Sequence, residues 1–277
     1  MLQNLTEKDR AALQALALGD NAANSFLHAP KAQDCEVYGI WHDGLLVGAA
    51  QLECEKSAFL YVYIAKPFRK QGLGTSAVRL CEERLKAAAP DKIETYWLSG
   101  DESAKRFAKK HGCAHVFSSA LMRYSGVPFT LSDLPVRAYE DADYGAAQAL
   151  SARAFHKMRL RVGAFPDSRV QQPSEEMRAA WKSAAAERFV YEQNGEIVGY
   201  AHLEGDAIDS VAIKPEAQGR GIGRLFVKRL CNEILKSHRS VTLYCVVGNW
   251  ARSLYDSLGF REEYVEEYGV KRLRHPL

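Results

Sequence analysis

Three closely spaced glycines in the second half of the chain form a turn whose backbone could hold an anion. Gly219, Gly221 and Gly223 follow a run of apolar and β-branched residues and precede a helical pattern. Glycines at a strand-to-helix turn let backbone amides approach a ligand at the positive end of the helix, which suits a phosphate or pyrophosphate. The GxGxG spacing matches neither the GxGxxG dinucleotide turn nor a nucleotide P-loop. A tight connection without a ligand explains the spacing equally well.

The chain also repeats itself at a nearly constant offset of about 150 residues, as tandem copies of one unit do. The matching positions, first copy then second, are Asp43 and Asn194, Lys66 and Lys214, Gly72 and Gly221, and Gly112 and Gly259. We therefore expect two domains of one fold, residues 1–126 and 127–277. Gly, Pro and Ser interrupt the pattern where the two copies join.

Both copies predict the same order of elements. Asp-Gly and Asn-Gly flanked by apolar residues predict a β-hairpin in each copy. The expected elements that follow each hairpin are strands 59–64 and 207–213, helices 76–88 and 223–235, strands 93–98 and 241–247, and helices 103–110 and 250–258. Hairpins mixed with helices indicate an α+β (mixed α/β) fold, a mostly antiparallel sheet flanked by helices, rather than a doubly wound parallel sheet.

Composition excludes several classes of protein. With 47% hydrophobic and 26% charged residues the chain is expected to be globular, and no apolar run approaches the roughly 18 residues of a membrane span. The first residues lack a signal-peptide pattern, so we expect a cytoplasmic protein without a membrane partner. A net charge of +3 gives little support to a nucleic-acid partner. Six cysteines without CxxC spacing predict reduced thiols, and no metal site is expected.

Two motifs of the second copy resemble the GCN5-related N-acetyltransferase (GNAT) family. The run QGRGIG at residues 218–223 is similar to the acyl-coenzyme A motif of that family, and ARSLYDSLGF at 251–260 is similar to its A-x-x-L-Y-x-x-x-G-F signature. The first copy carries the related run RKQGLG at 69–74. The resemblance implies two tandem acyl-CoA N-acyltransferase folds that use acetyl-CoA as cosubstrate. The pantetheine arm would lie between two strands that splay apart, 207–213 and 241–247.

The resemblance further implies that backbone amides of the glycine turn hold the pyrophosphate of acetyl-CoA. The cofactor-binding residues expected on this basis are Val211, Ala212, Ile213, Gln218, Gly219, Arg220, Gly221, Ile222, Gly223, Arg224, Asn249 and Arg252. Arg220 and Arg224 flank the turn and suit phosphate oxygens, although arginines are also ordinary at the start of a surface helix. Asn249 is expected either to reach the pantetheine amides or to cap the following helix.

By the same resemblance, Tyr255 is the general acid. A phenol with an unperturbed pKa of about 10 is protonated at neutral pH and can donate to the departing thiolate. Aligned on its glycine, the first copy has Ala108 at this position, and Cys113 stands where the second copy has Phe260. We therefore expect the second domain to be catalytic and the first to be degenerate, although some family members work without this tyrosine.

The general base is expected to be a carboxylate on or near the central strands. Glu204, Asp206 and Asp209 are the candidates; Asp206 follows a glycine in a turn pattern, and Glu204 recurs in the first copy as Glu53. The predicted activity is transfer of an acetyl group from acetyl-CoA to a primary amine of a small molecule or peptide, by direct attack. A non-catalytic acyl-CoA-binding sensor or regulatory module is the alternative. The acceptor stays unnamed, and the protein is expected to be a monomer or a homodimer.

Overall fold

The chain divides into two compact units. The computed structural model describes residues 2–20, 36–53, 57–131, 134–165 and 167–273. The first unit comprises Met1–Val116 with Glu266–Leu277, and the second comprises Phe117–Val265. These limits differ from the division at residue 126, because the units follow spatial contacts whereas that division follows the sequence repeat. The division at 126 stays a prediction about the two copies.

Most elements of the first unit come from the amino-terminal part of the chain. They are β1 (Leu2–Asn4), α1 (Glu7–Ala17), β2 (Glu36–His42), β3 (Leu45–Glu53), β4 (Ser57–Ile64), α2 (Leu73–Leu85), β5 (Lys92–Leu98) and α3 (Glu102–Lys110). The remaining elements are β6 (Ala114–Tyr124), β7 (Val136–Ala138), α4 (Tyr144–Val162), α5 (Glu175–Ser183), β8 (Arg188–Gln193), β9 (Glu196–Glu204), β10 (Ala207–Ile213), α6 (Ile222–Ile234), β11 (Val241–Val246), α7 (Ala251–Leu258) and β12 (Arg261–Arg272).

The sheet of the first unit has the order β1-β2-β3-β4-β5-β12. Neighbouring strands are antiparallel except β4 and β5, which pair in parallel. The β2–β3 turn has Asp43 and Gly44 at φ 49° and 77°, the left-handed pair that a type I′ hairpin requires. Helix α1 begins at a capping box, in which Thr6 and Asp9 bond each other's backbone amides.

The second unit has the order β7-β8-β9-β10-β11-β6, and again one neighbouring pair, β10 and β11, is parallel. Phe226 and Leu230 of α6 pack in one buried cluster, whereas Leu150 of α4 packs with Tyr200 in another. Each unit is therefore a mostly antiparallel sheet with helices, which confirms the fold class predicted from the sequence.

The sequence patterns missed the last strand of each copy, β6 and β12. Most residues of β6 belong to the second unit, where they pair with β11 from Ser119 to Tyr124. Strand β12 reads REEYVEEYGVKR, and its charged residues hide the alternation that marks a strand. Its residues from Glu266 to Arg272 pair with β5 and belong to the first unit.

The described residues also bear on the expectations about the cysteines and about membrane spans. Cys113, Cys231 and Cys245 are free thiols, and burial raises the pKa of the latter two to about 12 and about 11. Cys35 and Cys54 lie outside the described residues. Within the described ranges, no helix combines the length and the apolar character needed to cross a membrane.

The pairing of β12 with β5 depends on a glycine beneath a buried tryptophan. A methyl group on Gly269 would lie 2.5 Å from Cζ3 of Trp97. We expect Gly269→Ala to cost about 1–3 kcal/mol through overpacking and to speed amide exchange in Lys92–Leu98 by roughly 5- to 100-fold. Hydrogen exchange followed by mass spectrometry measures this. The matched variant is Gly145→Ala in α4, whose added methyl would have no neighbour within 4 Å. Equal rates of amide exchange in Lys92–Leu98 in the two variants would contradict the expectation.

Candidate functional site

A cavity opens in the second unit where β10 and β11 separate. The two strands share one paired register, Ala207 opposite Thr242. Beyond it β10 stays paired with β9 and β11 stays paired with β6, so the gap between them widens. The resulting cavity of about 410 Å³ is lined by residues of β10, β11, α4, α6 and α7. This divergence is the feature that the family resemblance implied for these two strands.

The glycine turn forms the end of this cavity nearest to α6. Gly219 and Gly221 both have φ 79°, and a Cβ at either position would have no neighbour within 4 Å. Backbone conformation, and not lack of space, therefore favours glycine here. The Gln218 side chain donates from Nε2 to the carbonyl of Ile213 at 2.9 Å, which fixes the turn to the end of β10. The amides of Ile222 and Gly223, the first two of α6, have no acceptor within the helix, so the turn presents donors to an anion.

Most of the expected cofactor-binding residues surround the cavity. Those that line it are Val211, Ala212, Ile213, Gln218, Gly219, Gly221, Gly223, Arg224 and Asn249. The structure does not bring three others to its lining. Ile222 is 7% exposed and packs in the core, and the Arg220 side chain is exposed to solvent. Arg252 is held by two carboxylates, with Nη1 2.6 Å from Glu262 and Nε 3.3 Å from Asp256.

Two polar residues of the lining are partly engaged with the protein itself. Arg224 donates from Nη1 to the Ser257 hydroxyl at 2.5 Å, which ties α6 to α7. Asn249 accepts the backbone N–H of Ala251 at 3.0 Å through Oδ1, so it caps the start of α7 while also lining the cavity. The side-chain amide nitrogen of Asn249 can still donate a hydrogen bond. The two expectations for this residue are therefore compatible.

Tyr255 lies in the wall of the cavity on α7. It is 7% exposed, and its ring packs against Phe260 with centroids 5.8 Å apart. Burial raises the pKa of the Tyr255 phenol well above its ordinary value, and Cys245 and Cys231 add to the shift. The hydroxyl is therefore protonated throughout the neutral range, as a proton donor requires.

The first unit keeps the turn but not the phenol. Its Gly72 has φ 84°, and Arg69 donates from Nε to the Ile64 carbonyl at 2.7 Å, as Gln218 does to Ile213. A cavity of about 330 Å³ adjoins this turn. Ala108, in the place of the tyrosine, lines a separate cavity of about 90 Å³.

Of the three candidate carboxylates, Asp209 alone lines the cavity. It lies at a β-bulge, because the register of β10 against β9 shifts between Ile208 and Ser210. Glu204 ends β9 with an exposed side chain and is not among the lining residues. Asp206 is also outside the lining, and its carboxylate lies 3.5 Å from the guanidinium of Arg123.

Sequence reasoning missed His202 on β9. Its Nδ1 lies 2.9 Å from Oδ2 of Asp209, and its Nε2 lies 3.6 Å from Oε2 of Glu187. The signal in the sequence was weak: His202 is aligned with Gln51 in the repeat, so a titratable ring replaces a neutral amide in one copy. His202 is opposite Ser210 in the pairing of β9 and β10, and the bulge places Asp209 beside that pair.

Much of the cavity wall is apolar. Phe155 and Met158 of α4 and Tyr244 of β11 contribute to it. The basic residues on the same helix do not line it. Arg161 lies 4.3 Å above the ring of Trp250, and Arg159 lies 6.0 Å above that of Phe165.

Comparison with known families gives two matches, one in each copy. The model of the acetyltransferase (GNAT) family matches residues 7–113, and that of the acetyltransferase (GNAT) domain matches residues 185–262. No curated protein matches the chain.

Solved structures match the chain over its whole length. A GCN5-related N-acetyltransferase from Sphaerobacter thermophilus is 19% identical with a TM-score of 0.70, covering 100% of this chain and 96% of its own. A tandem GNAT protein from the clavulanic acid biosynthesis pathway is 15% identical with a TM-score of 0.62, covering 100% and 99%. A GNAT-family acetyltransferase from Colwellia psychrerythraea is 11% identical with a TM-score of 0.58, covering 97% and 99%. At these identities the structures share the fold.

The buried phenol leads to a prediction about alkaline titration. Because burial raises the pKa of Tyr255, we expect its hydroxyl to stay protonated between about pH 9 and 11, where an exposed tyrosine ionises. Tyrosinate absorbance of the native protein and of Tyr255→Phe should therefore coincide over that range. In denaturant the wild type should show one additional phenol that titrates near about pH 10. A difference between the two native titrations would contradict the expected shift.

Proposed function

Given that the chain belongs to the GCN5-related N-acetyltransferase (GNAT) family as a tandem-domain member and is an acyl-CoA-dependent acetyltransferase, we propose that its second unit acetylates a primary amine of a small molecule or peptide. One observation carries this proposal: Tyr255, the glycine turn and Asp209 line one cavity between diverging strands. The turn suits the pyrophosphate of acetyl-CoA, the phenol suits its sulfur, and the carboxylate suits an amine.

The proposed reaction is a direct attack. The neutral amine nitrogen bonds to the thioester carbonyl carbon, and the nitrogen gives up a proton to Asp209 or to a water molecule beside it. The carbon–sulfur bond then breaks, and the thiolate takes the hydroxyl proton of Tyr255. Solvent returns a proton to the phenolate, whose raised pKa makes it a strong base. The products are an acetamide and coenzyme A.

We propose that the first unit does not catalyse this reaction. Its glycine turn and cavity are compatible with an acyl-CoA ligand, but Ala108 supplies no proton. A non-catalytic acyl-CoA-binding role is therefore the second candidate function, and it applies to this unit. Titration with acetyl-CoA tests whether the first unit binds this ligand. If both glycine turns bind acetyl-CoA, the protein binds two equivalents, and if only one turn does, it binds one.

Replacing the proposed proton donor should separate chemistry from binding. We expect Tyr255→Phe to lower kcat by about 100-fold or more, because general acid catalysis is lost, while the Kd for acetyl-CoA is unchanged. Thiol release with a panel of primary amines measures kcat, and calorimetry measures Kd. Tyr191→Phe is the matched control, since Tyr191 is a buried phenol of the same unit outside the cavity lining. Undiminished turnover in Tyr255→Phe would remove this residue from the mechanism.

Distorting the glycine turn should weaken the binding of acetyl-CoA. Alanine at Gly221 must adopt φ 79°, which costs about 1–2 kcal/mol, so we expect Gly221→Ala to weaken acetyl-CoA binding by on the order of tenfold. Gly205→Ala is the matched control, because Gly205 also has a positive φ of 57° and open space but lies outside the cavity lining. Equal affinities in both variants, measured by calorimetry, would contradict the assignment of the turn.

A further inference from the structure

We propose that His202 is a positioning residue that holds the carboxylate of Asp209 at the acceptor end of the cavity. This inference rests on the proposed function, because it concerns how the acceptor amine is received. It assigns a role to a side chain that neither the glycine motif nor the tyrosine motif contains.

The contact between the two side chains is direct. Nδ1 of His202 lies 2.9 Å from Oδ2 of Asp209, which is a normal hydrogen-bond length and leaves no room for an ion between them. An ionised carboxylate can only accept, so the proton belongs on Nδ1. A donor aimed at one carboxylate oxygen fixes the rotation of the whole group. Oδ1 of Asp209 then remains available to a ligand.

The surroundings hold the imidazole more firmly than the carboxylate. The His202 side chain is 16% exposed, whereas that of Asp209 is 49% exposed. The Nε2 atom of His202 is buried and has no hydrogen bond among the described residues, and its nearest carboxylate is that of Glu187 at 3.6 Å. A largely buried ring therefore restrains the half-exposed carboxylate that it contacts.

The neighbouring guanidinium does not compete for this carboxylate. Arg188 is directly opposite His202 in the pairing of β8 and β9. Its guanidinium contacts the hydroxyl of Tyr200 and lies 4.8 Å above the ring of Trp181. The imidazole thus remains the partner of Asp209, and the carboxylate can attract an ammonium group.

The arrangement is specific to the second unit. The residue aligned with His202 in the first copy is Gln51, which is 3% exposed. Strands β3 and β4 pair there without the register shift that produces the bulge at Asp209. The unit that carries the tyrosine therefore also carries the bulge, the carboxylate and the imidazole.

The kinetic test compares two replacements of His202. His202→Leu removes the donor, and we expect kcat/KM for the amine to fall by about 10- to 100-fold, the range for a hydrogen bond to a charged group. KM for acetyl-CoA should be unchanged. His202→Asn places an amide N–H where Nδ1 was, so we expect activity within about fivefold of the wild type. His238→Leu, at an exposed histidine of the same unit, is the control and should behave as the wild type.

The amine used is whichever member of a panel gives the highest turnover with the wild type: an alkylamine, a phenylalkylamine, a polyamine, an amino sugar and a peptide amino terminus. Wild-type activity in His202→Leu, or equal losses in His202→Leu and His202→Asn, would overturn the positioning role alone. If the wild type turns over none of these amines, the proposed function fails and the positioning role fails with it.

A spectroscopic test is independent of turnover. In protein labelled with nitrogen-15 at histidine, the His202 signals, assigned by their loss in His202→Asn, should show a proton on Nδ1. A neutral ring protonated only on Nε2 cannot donate to Asp209, so finding that tautomer would overturn the positioning role even if the enzyme is active.

Discussion

The candidate site depends on two parallel strands that pair at one register and then part. Ala207 opposite Thr242 is the single pairing between β10 and β11, and each strand remains bonded to an antiparallel neighbour on its other side. The gap is stable because those outer neighbours hold both strands in place while the edges that face each other lose their partners. An extended ligand with amide groups can satisfy such edges, as a pantetheine arm would. The glycine turn, the tyrosine and the bulge then lie around one opening.

Comparison of the two units separates the backbone features that they share from the side chains that differ. In both, a left-handed glycine begins the helix after the parallel strand, and the side chain three residues before it bonds the end of that strand. The copies differ in the turn, where Lys70 matches Gly219, and at two positions that matter for chemistry. Ala108 stands in the place of Tyr255, and Gln51 in the place of His202. The same backbone can therefore form a pocket with or without the groups that move protons.

Short sequence motifs predicted the features that depend on a few neighbouring residues. The hairpins followed from Asp-Gly and Asn-Gly, and the position of Tyr255 on the cavity wall followed from its motif. Contacts between segments that are far apart in the chain could not be predicted from the sequence. The exposed side chain of Glu204 and the carboxylate partners of Arg252 depend on tertiary placement. The contact between His202 and Asp209 depends on how β9 pairs with β10, and no residue pattern predicted the bulge at that point. The charge-rich β12 was missed because pairing with β5, rather than its own alternation, makes it a strand.

A crystal structure of the protein with coenzyme A is the most direct test of the central claim that the divergence of β10 and β11 places a thioester beside Tyr255. We expect the pyrophosphate on the amides of residues 219–224, the pantetheine between the two strands, and the sulfur within about 4 Å of the Tyr255 hydroxyl. Coenzyme A bound with its sulfur away from Tyr255, or bound in the first unit alone, would contradict the claim.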